Sequence, residues 1–279
     1  MFLGQNIGLL DSSLVNLHKT DSASETLQLL HQGKVDGGAL TFDEVLRAKN
    51  DGLDLVVVLV FDISAGADVV IGKAGVDSFA DLKGKKIAVE VGSVGSIMLD
   101  RLLKEANLSE EDVEVVEASI DQHLNFWKAG QVDVVITYEP VSGKLLELGG
   151  HEIFSSQQAP NLIVDVLALK KEALKNRLSI QHLIETHFKA KSHFSSNHQD
   201  SIFRMSGRLE VAPEEVDEVF KGLFLPDYNN NLRLLSGNEP ELHISARLLN
   251  DILHLKNREK LHSYLNNLID DSFLLSIDR

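Results

Sequence analysis

The chain has 279 residues, 43% of them hydrophobic and 25% charged, an ordinary globular composition that excludes wholesale disorder. That length suits one large α/β domain or two lobes. Lys and Arg total 27 against 42 Asp and Glu, a net charge of −15 that disfavours nucleic acid and anionic lipid, and zero cysteines exclude disulfides, thiolate metal sites and cysteine nucleophiles.

Taken in chain order, the pattern alternates helix and strand. Ser22 and Glu25 have capping-box spacing and open a helix through Leu27, Leu29 and Leu30 that stops at Gly33. Val35 to Phe42 reads as a strand, and Thr41-Phe42-Asp43-Glu44 opens a helix through Val45 and Leu46. Leu53 to Phe61 is a continuous apolar run, as in a strand covered on both faces. Strands are expected at Asp68 to Gly72, Lys86 to Val91, Val113 to Ala118, Val132 to Tyr138 and Ile163 to Leu169, the last being the final clear strand. Helices are expected from Ser93 to Ala106, Ile120 to Ala129 and Val141 to Leu148. After Lys170 helical periodicity dominates, with Pro213-Glu214-Glu215 as a first helical turn and Asn229-Asn230-Asn231 and Ser236-Gly237-Asn238 as loop signals. Alternating strands and helices imply mostly parallel sheets. No run reaches the roughly 18–20 apolar residues of a membrane span. Met1-Phe2-Leu3-Gly4-Gln5-Asn6 lacks the features of a signal peptide, so the chain either stays in the cytoplasm or lacks its natural leader.

One segment echoes another. Gly33-Lys34-Val35-Asp36 leads through a strand to Thr41-Phe42-Asp43-Glu44, and Gly130-Gln131-Val132-Asp133 leads through a strand to Thr137-Tyr138-Glu139-Pro140. Open α/β sheets bind ligands at the carboxyl ends of strands, which makes both ends candidate ligand positions; shared loop chemistry is the plainer alternative. Thr41 is a candidate contact or simply the cap of its helix, with Asp43 and Glu44 solvated or capping. Gly92 and Ser93 open a helix whose N–H groups could hold an anion, or they form a plain turn with a serine cap. Tyr138 offers a ring and a hydroxyl; Glu139 could accept from a ligand amine or favour the helix dipole. Ser64 is a candidate ligand contact or, equally, a tie for the turn backbone, whereas Asp68 reads as such a tie. Asp165, an acid in an apolar strand, needs a partner or a ligand if buried. The acids Asp43, Glu44, Glu90 and Glu139 favour a neutral, zwitterionic or amine-bearing ligand over a strongly anionic one. Trp127 reads as core. His182, His187, His193 and His198 do not stack on one helical face and match no zinc pattern, so no metal and no cofactor are expected.

Several stretches together resemble the substrate-binding proteins of ABC importers for nitrate, sulfonate, taurine and thiamine-precursor-type ligands. They are Asp62-Ile63-Ser64-Ala65-Gly66-Ala67-Asp68, Ser78-Phe79-Ala80-Asp81-Leu82-Lys83-Gly84-Lys85-Lys86-Ile87-Ala88-Val89, Gly130-Gln131-Val132-Asp133-Val134-Val135 and Tyr138-Glu139-Pro140-Val141. The likeness runs from about Leu3 to Leu274. It implies an α/β, two-lobed fold of the type II periplasmic-binding-protein class, with mostly parallel sheets flanked by helices and a helical C-terminal region. Lobe 1 would comprise residues 1–68 and 165–279, and lobe 2 residues 69–164. The implied function is non-enzymatic: two lobes close around a small polar molecule and present it to an ABC permease, outside the cytoplasm and as a monomer. A ligand-sensing module with a membrane sensor partner, or a degenerate paralogue, is the alternative. Related pyrimidine-synthesis enzymes use a cysteine-rich segment, which is missing here. Members of the family also begin with a strand and helix ahead of the equivalent of Leu3-Gly4, so on this reading the chain is N-terminally truncated.

Overall fold

Local capping sets many of the element boundaries. In the computed structural model, which describes residues 1–255 and 265–277, the Ser22 hydroxyl accepts from the Glu25 N–H at 3.2 Å and the Glu25 carboxylate accepts from the Asp21 N–H at 2.8 Å. That box opens helix α2. The helices are α1 (Phe2–Asn6), α2 (Ala23–His31), α3 (Phe42–Asn50), α4 (Val94–Glu105), α5 (Ile120–Lys128), α6 (Val141–Glu147), α7 (Arg177–Ser196), α8 (His198–Leu209), α9 (Val216–Val219), α10 (Tyr228–Leu235), α11 (Glu241–Ile252) and α12 (Ser272–Leu275). The strands are β1 (Gly37–Thr41), β2 (Leu55–Ser64), β3 (Val69–Gly72), β4 (Lys86–Val89), β5 (Glu114–Glu117), β6 (Val134–Thr137), β7 (His151–Ser155), β8 (Val164–Lys170) and β9 (Leu223–Phe224). Parts of the expected 165–279 segment, residues 256–264 and 278–279, lie outside the described residues.

The chain divides into two units. The first comprises Met1–Asp62, Val164–Asp217 and Leu225–Arg279; the second comprises Ile63–Ile163 and Glu218–Phe224. In the first, β8 lies between β1 and β2, and β1 runs antiparallel to β8 with Thr41 opposite Asp165. The run from Leu55 to Val60 is buried along its whole length, as expected of a strand covered on both faces.

The second unit contains a five-stranded sheet in the order β5-β4-β6-β3-β7. β4 is parallel to β5 and to β6, while β3 is antiparallel to β6 and to β7. Four strands therefore share one direction and β3 opposes them. Val69, Ile71, Ala88, Val135, Leu145 and Trp127 form the core on one face, so Trp127 packs as its sequence context suggests. Lys73 lies 4.9 Å from the Trp127 ring centroid and donates to the Trp127 carbonyl at 2.9 Å.

Three features depart from the sequence expectation. β7 carries polar residues and is only partly buried, so its alternation is weak; pairing with β3 makes it a strand. β9 is two residues long and exists by pairing with Ile63 and Ser64 in the second unit. Asn229, Asn230 and Asn231 lie within α10 and not in a loop. The Asp227 carboxylate caps that helix by accepting from the Asn230 N–H at 2.8 Å. Asn231 is fully buried; its Oδ1 accepts from the Val60 N–H at 2.8 Å and its Nδ2 donates to the Val60 carbonyl at 3.2 Å. A bidentate tertiary bond outweighs the weak helix propensity of asparagine.

Asn231→Ala leaves both Val60 backbone groups buried and unpaired, at about 1–3 kcal/mol per group. Urea unfolding is expected to show a stability loss of about 2–4 kcal/mol with an unchanged slope. A loss below about 0.5 kcal/mol would show that water replaces the amide.

Candidate functional site

The site builds up from the β3–β6 register. Val69 faces Thr137 across the antiparallel pair, and one further step places Asp68 opposite Tyr138. The Asp68 main chain is held at both polar groups: its N–H donates to the Ser64 hydroxyl at 3.2 Å and its carbonyl accepts from the Ser156 N–H at 2.9 Å. Ser64 and Ser156 share a hydroxyl hydrogen bond at 2.7 Å, and the Gly66 N–H donates to the Ser156 hydroxyl at 2.8 Å. Gly222 closes this turn from the other side. Its carbonyl accepts from the Ala65 N–H at 2.7 Å, and a Cβ on it would sit 2.4 Å from the Ala67 nitrogen.

That frame leaves the Asp68 carboxyl with 8% of the residue exposed. Burial pushes its pKa up to about 6, opposed by the hydrogen bond to the Ser64 hydroxyl. Opposite it, Tyr138 is 43% exposed. Its hydroxyl is raised above the ordinary phenol range, first by partial burial and then by the charges of Glu90 and Asp68.

β4 delivers Glu90. Continuing the β4–β6 register from Ala88 and Val135 sets Glu90 level with Thr137, with side chains on the same face. The turn after it is self-contained. Gly92 has φ +82°, its N–H donates to the Ser96 hydroxyl at 2.8 Å, the Gly95 N–H donates to the Ser93 hydroxyl at 3.2 Å, and the Ser93 hydroxyl donates to the Glu90 carbonyl at 2.8 Å. Gly95 is needed for close approach, since a Cβ there would lie 2.7 Å from the Glu90 carbonyl oxygen.

Two further buried polar side chains lie in this unit. Thr137 is 2% exposed, and its hydroxyl has no hydrogen-bond partner among the described residues. His123 on α5 is fully buried; its Nε2 lies 3.1 Å from the Ala118 carbonyl, and its Nδ1 has no partner among the described residues. A carbonyl only accepts, so Nε2 carries the proton. Burial lowers the His123 pKa and keeps the ring neutral, against the Ala118 bond and the charges of Glu90 and Asp121.

The structure thus places Ser64, Gly92, Ser93, Tyr138 and Glu139 in the second unit and Thr41 and Asp165 in the first. Glu139 precedes a cis peptide to Pro140 and accepts from the Gly143 N–H at 3.2 Å in the first turn of α6. Thr41 caps α3: its N–H donates to Glu44 at 2.8 Å and its hydroxyl to Asp43 at 2.7 Å. Asp43 is buried, with Arg47 Nε at 3.5 Å. Asp165 is half-buried opposite Thr41. The second unit also holds buried Thr137, which closes the second echo strand, and buried His123, for which no motif in the sequence speaks. His182, by contrast, accepts from the Asp11 N–H at 2.8 Å, and His193 and His198 meet Asp200 and Asp217 at 3.2 Å each.

The family model described as NMT1/THI5 like matches residues 14–177. Over 181 residues the chain is 27% identical to an Escherichia coli (strain K12) protein that carries the name of an aliphatic sulfonates-binding protein, covering 64% of this chain and 57% of that one. The crystal structure of the periplasmic aliphatic sulphonate binding protein SsuA from Escherichia coli matches with a TM-score of 0.78 at 21% identity, covering 94% of this chain and 84% of that one. The desulfurization enzyme DSZB matches with a TM-score of 0.67 at 15% identity, covering 98% and 94%. The chain spans 39% to 57% of the length of the curated relatives it matches. At such identities the structural likeness speaks for the fold alone, which is α/β with sheets flanked by helices.

A folded-state pKa near 6 lies above the ordinary 3.8 of Asp68, so ionisation costs the native state. The group's favourable contribution is complete below its ordinary pKa and is lost as pH rises from about 4 to about 6. Asp68→Asn removes that loss. The variant is expected to exceed the parent chain in stability at pH 8 by about 3 kcal/mol, with the gap closing by pH 4, as read by urea unfolding at both values. Parallel stability profiles for the two proteins would contradict the burial account of Asp68.

Proposed function

This chain belongs to the NMT1/THI5-like family, and from that premise we propose that it is a non-enzymatic solute-binding protein that takes one small polar molecule and presents it to an ABC importer. The observation that carries this reading is the Asp68 carboxyl, buried on a main chain fixed by Ser64 and Ser156. Such a group is a pre-organised recognition element. The serines beside it are not set up as nucleophiles. Their hydroxyls bond to each other and to the Gly66 and Asp68 N–H groups, and no histidine is among these bonds. The names of binding-protein relatives support the same reading, while the DSZB match means that the fold by itself does not separate receptor from enzyme.

In the second unit, Ser64, Gly92, Ser93, Tyr138 and Glu139 are proposed as ligand-site residues, with Asp68 added; in the first, Thr41 and Asp165 are proposed separately. The proposed lobes follow residues 1–68 with 165–279, and 69–164. A permease partner, a monomeric state and a location outside the cytoplasm complete the proposal. No described helix is long and apolar enough to cross a membrane.

Thermal unfolding of the purified chain against sulfonates, nitrate, amino acids, pyrimidines and polyamines tests it. A ligand at a hundred times its Kd adds about 2.7 kcal/mol, a shift of several degrees. The compound is expected back unchanged by mass spectrometry after release. Turnover of the bound compound would replace the receptor by an enzyme.

A further inference from the structure

We infer that residues 218–224 form a strap that positions the Asp68 carboxyl for its ligand, with Gly222 as the positioning residue. The inference rests on the receptor reading above and adds to it a residue that acts through the main chain of the site.

The first observation is where the strap goes. The chain up to Asp217 and from Leu225 onward belongs to the first unit, whereas Glu218–Phe224 belongs to the second. There β9 pairs antiparallel with the end of β2, Phe224 opposite Ile63 and Leu223 opposite Ser64. The pairing runs one residue further, because the Ala65 N–H donates to the Gly222 carbonyl at 2.7 Å. The strap therefore lies along the residues that lead into the turn before Asp68.

The second observation is how closely it approaches. A Cβ on Gly222 would sit 2.4 Å from the Ala67 nitrogen, 2.4 Å from the Gly66 carbonyl carbon and 2.7 Å from the Gly66 carbonyl oxygen. All three are main-chain atoms, so no side chain can rotate aside to make room. Gly222 also has φ +76°, in the left-handed region. Glycine is required there twice, once for the conformation of the strap and once for the turn it lies against.

The third observation is what that turn holds. Residues 65–67 separate Ser64 from Asp68, and the stretch is tied by side chains. The Asp68 N–H donates to the Ser64 hydroxyl at 3.2 Å, and the Gly66 N–H donates to the Ser156 hydroxyl at 2.8 Å. The two serines supply the bonds and Gly222 supplies the wall. Ala67 is joined directly to Asp68, so a displacement of the turn is passed to the carboxyl. The strap's own charges are occupied elsewhere: Lys221 and Glu218 are exposed and pair at 3.3 Å. Tyr138 is the titratable group that stands opposite Asp68 from β6.

Carboxyl 13C NMR of the full chain labelled at aspartate, followed from about pH 3 to about pH 9, tests this without any ligand; Asp68→Asn assigns the signal. The parent Asp68 is expected to titrate near 6. Gly222→Ala pushes the turn away, lets water reach the carboxyl and is expected to raise its ionisation constant about tenfold or more. Gly149→Ala is the control. Gly149 lies in the same unit with φ +86°, but a Cβ on it would meet nothing within 4 Å. That variant carries the backbone strain without the contact, and its Asp68 is expected to titrate as in the parent. If Gly222→Ala does not fold, Phe224→Pro takes its place. Phe224 is an exposed residue of β9, and proline there withholds a donor from the pairing with β2, so the same downward shift is expected. An Asp68 titration unchanged in the strap variant overturns the inference. An equal shift in Gly149→Ala overturns it too, because the effect is then a general loosening. A parent carboxyl that titrates in the ordinary range also overturns it, since no held group is then there to position. None of these outcomes touches the receptor reading, which the thermal panel decides.

Discussion

β3 enters the second unit's sheet between β6 and β7 and runs against both, so the residue that precedes it arrives at the edge where its neighbours end. That reversal puts Asp68 opposite Tyr138, beside the Thr137 that closes β6. It also lets the Asp68 carbonyl take the Ser156 N–H just past β7. A parallel β3 would start at the opposite edge, and the carboxyl, the tyrosine and the serine pair would not share a neighbourhood. The geometry of the site is a consequence of one antiparallel insertion among four strands of common direction.

Buried charge elsewhere in the chain is handled differently. Lys49 in the first unit is 6% exposed and meets Asp54 at 2.8 Å and the Leu55 carbonyl at 2.7 Å. Asp43 is 2% exposed and takes the Thr41 hydroxyl, with Arg47 at 3.5 Å. Both are arrangements in which desolvation is offset inside the fold. Asp68 has only a hydroxyl against its burial, and its carboxyl rises to about 6 in consequence. A group that weakens the native state at neutral pH while its main chain is held firmly is the pattern expected where stability gives way to recognition.

The fold leaves the chemistry open. Binding proteins and the enzyme DSZB share it at low identity, so the distinction has to come from side chains. Here the Ser64 and Ser156 hydroxyls are taken up by each other and by main-chain N–H groups, and at the start of α4 the Gly92 and Gly95 N–H groups bond to the Ser96 and Ser93 hydroxyls.

Much of the architecture was legible because it rests on local rules. The capping pairs at Ser22–Glu25 and Thr41–Glu44, the apolar run of β2 and the strand ends at Thr41 and Thr137 follow from spacing and burial period, and so does Trp127 in the core. Ser64, Gly92, Ser93, Tyr138 and Glu139 were legible as neighbours of strand ends, but which of their atoms already have partners was not. Tertiary structure alone decided the rest. Asn231 became helical because Val60 needed both its backbone groups satisfied. β7 and β9 became strands because a partner edge was available. Asp68 changed from a turn residue to a buried acid, and Thr137 and His123 came to matter at all, because burial and the lack of a partner are relations between segments far apart in the chain. Local periodicity reports which face a residue occupies; only packing reports what stands opposite it.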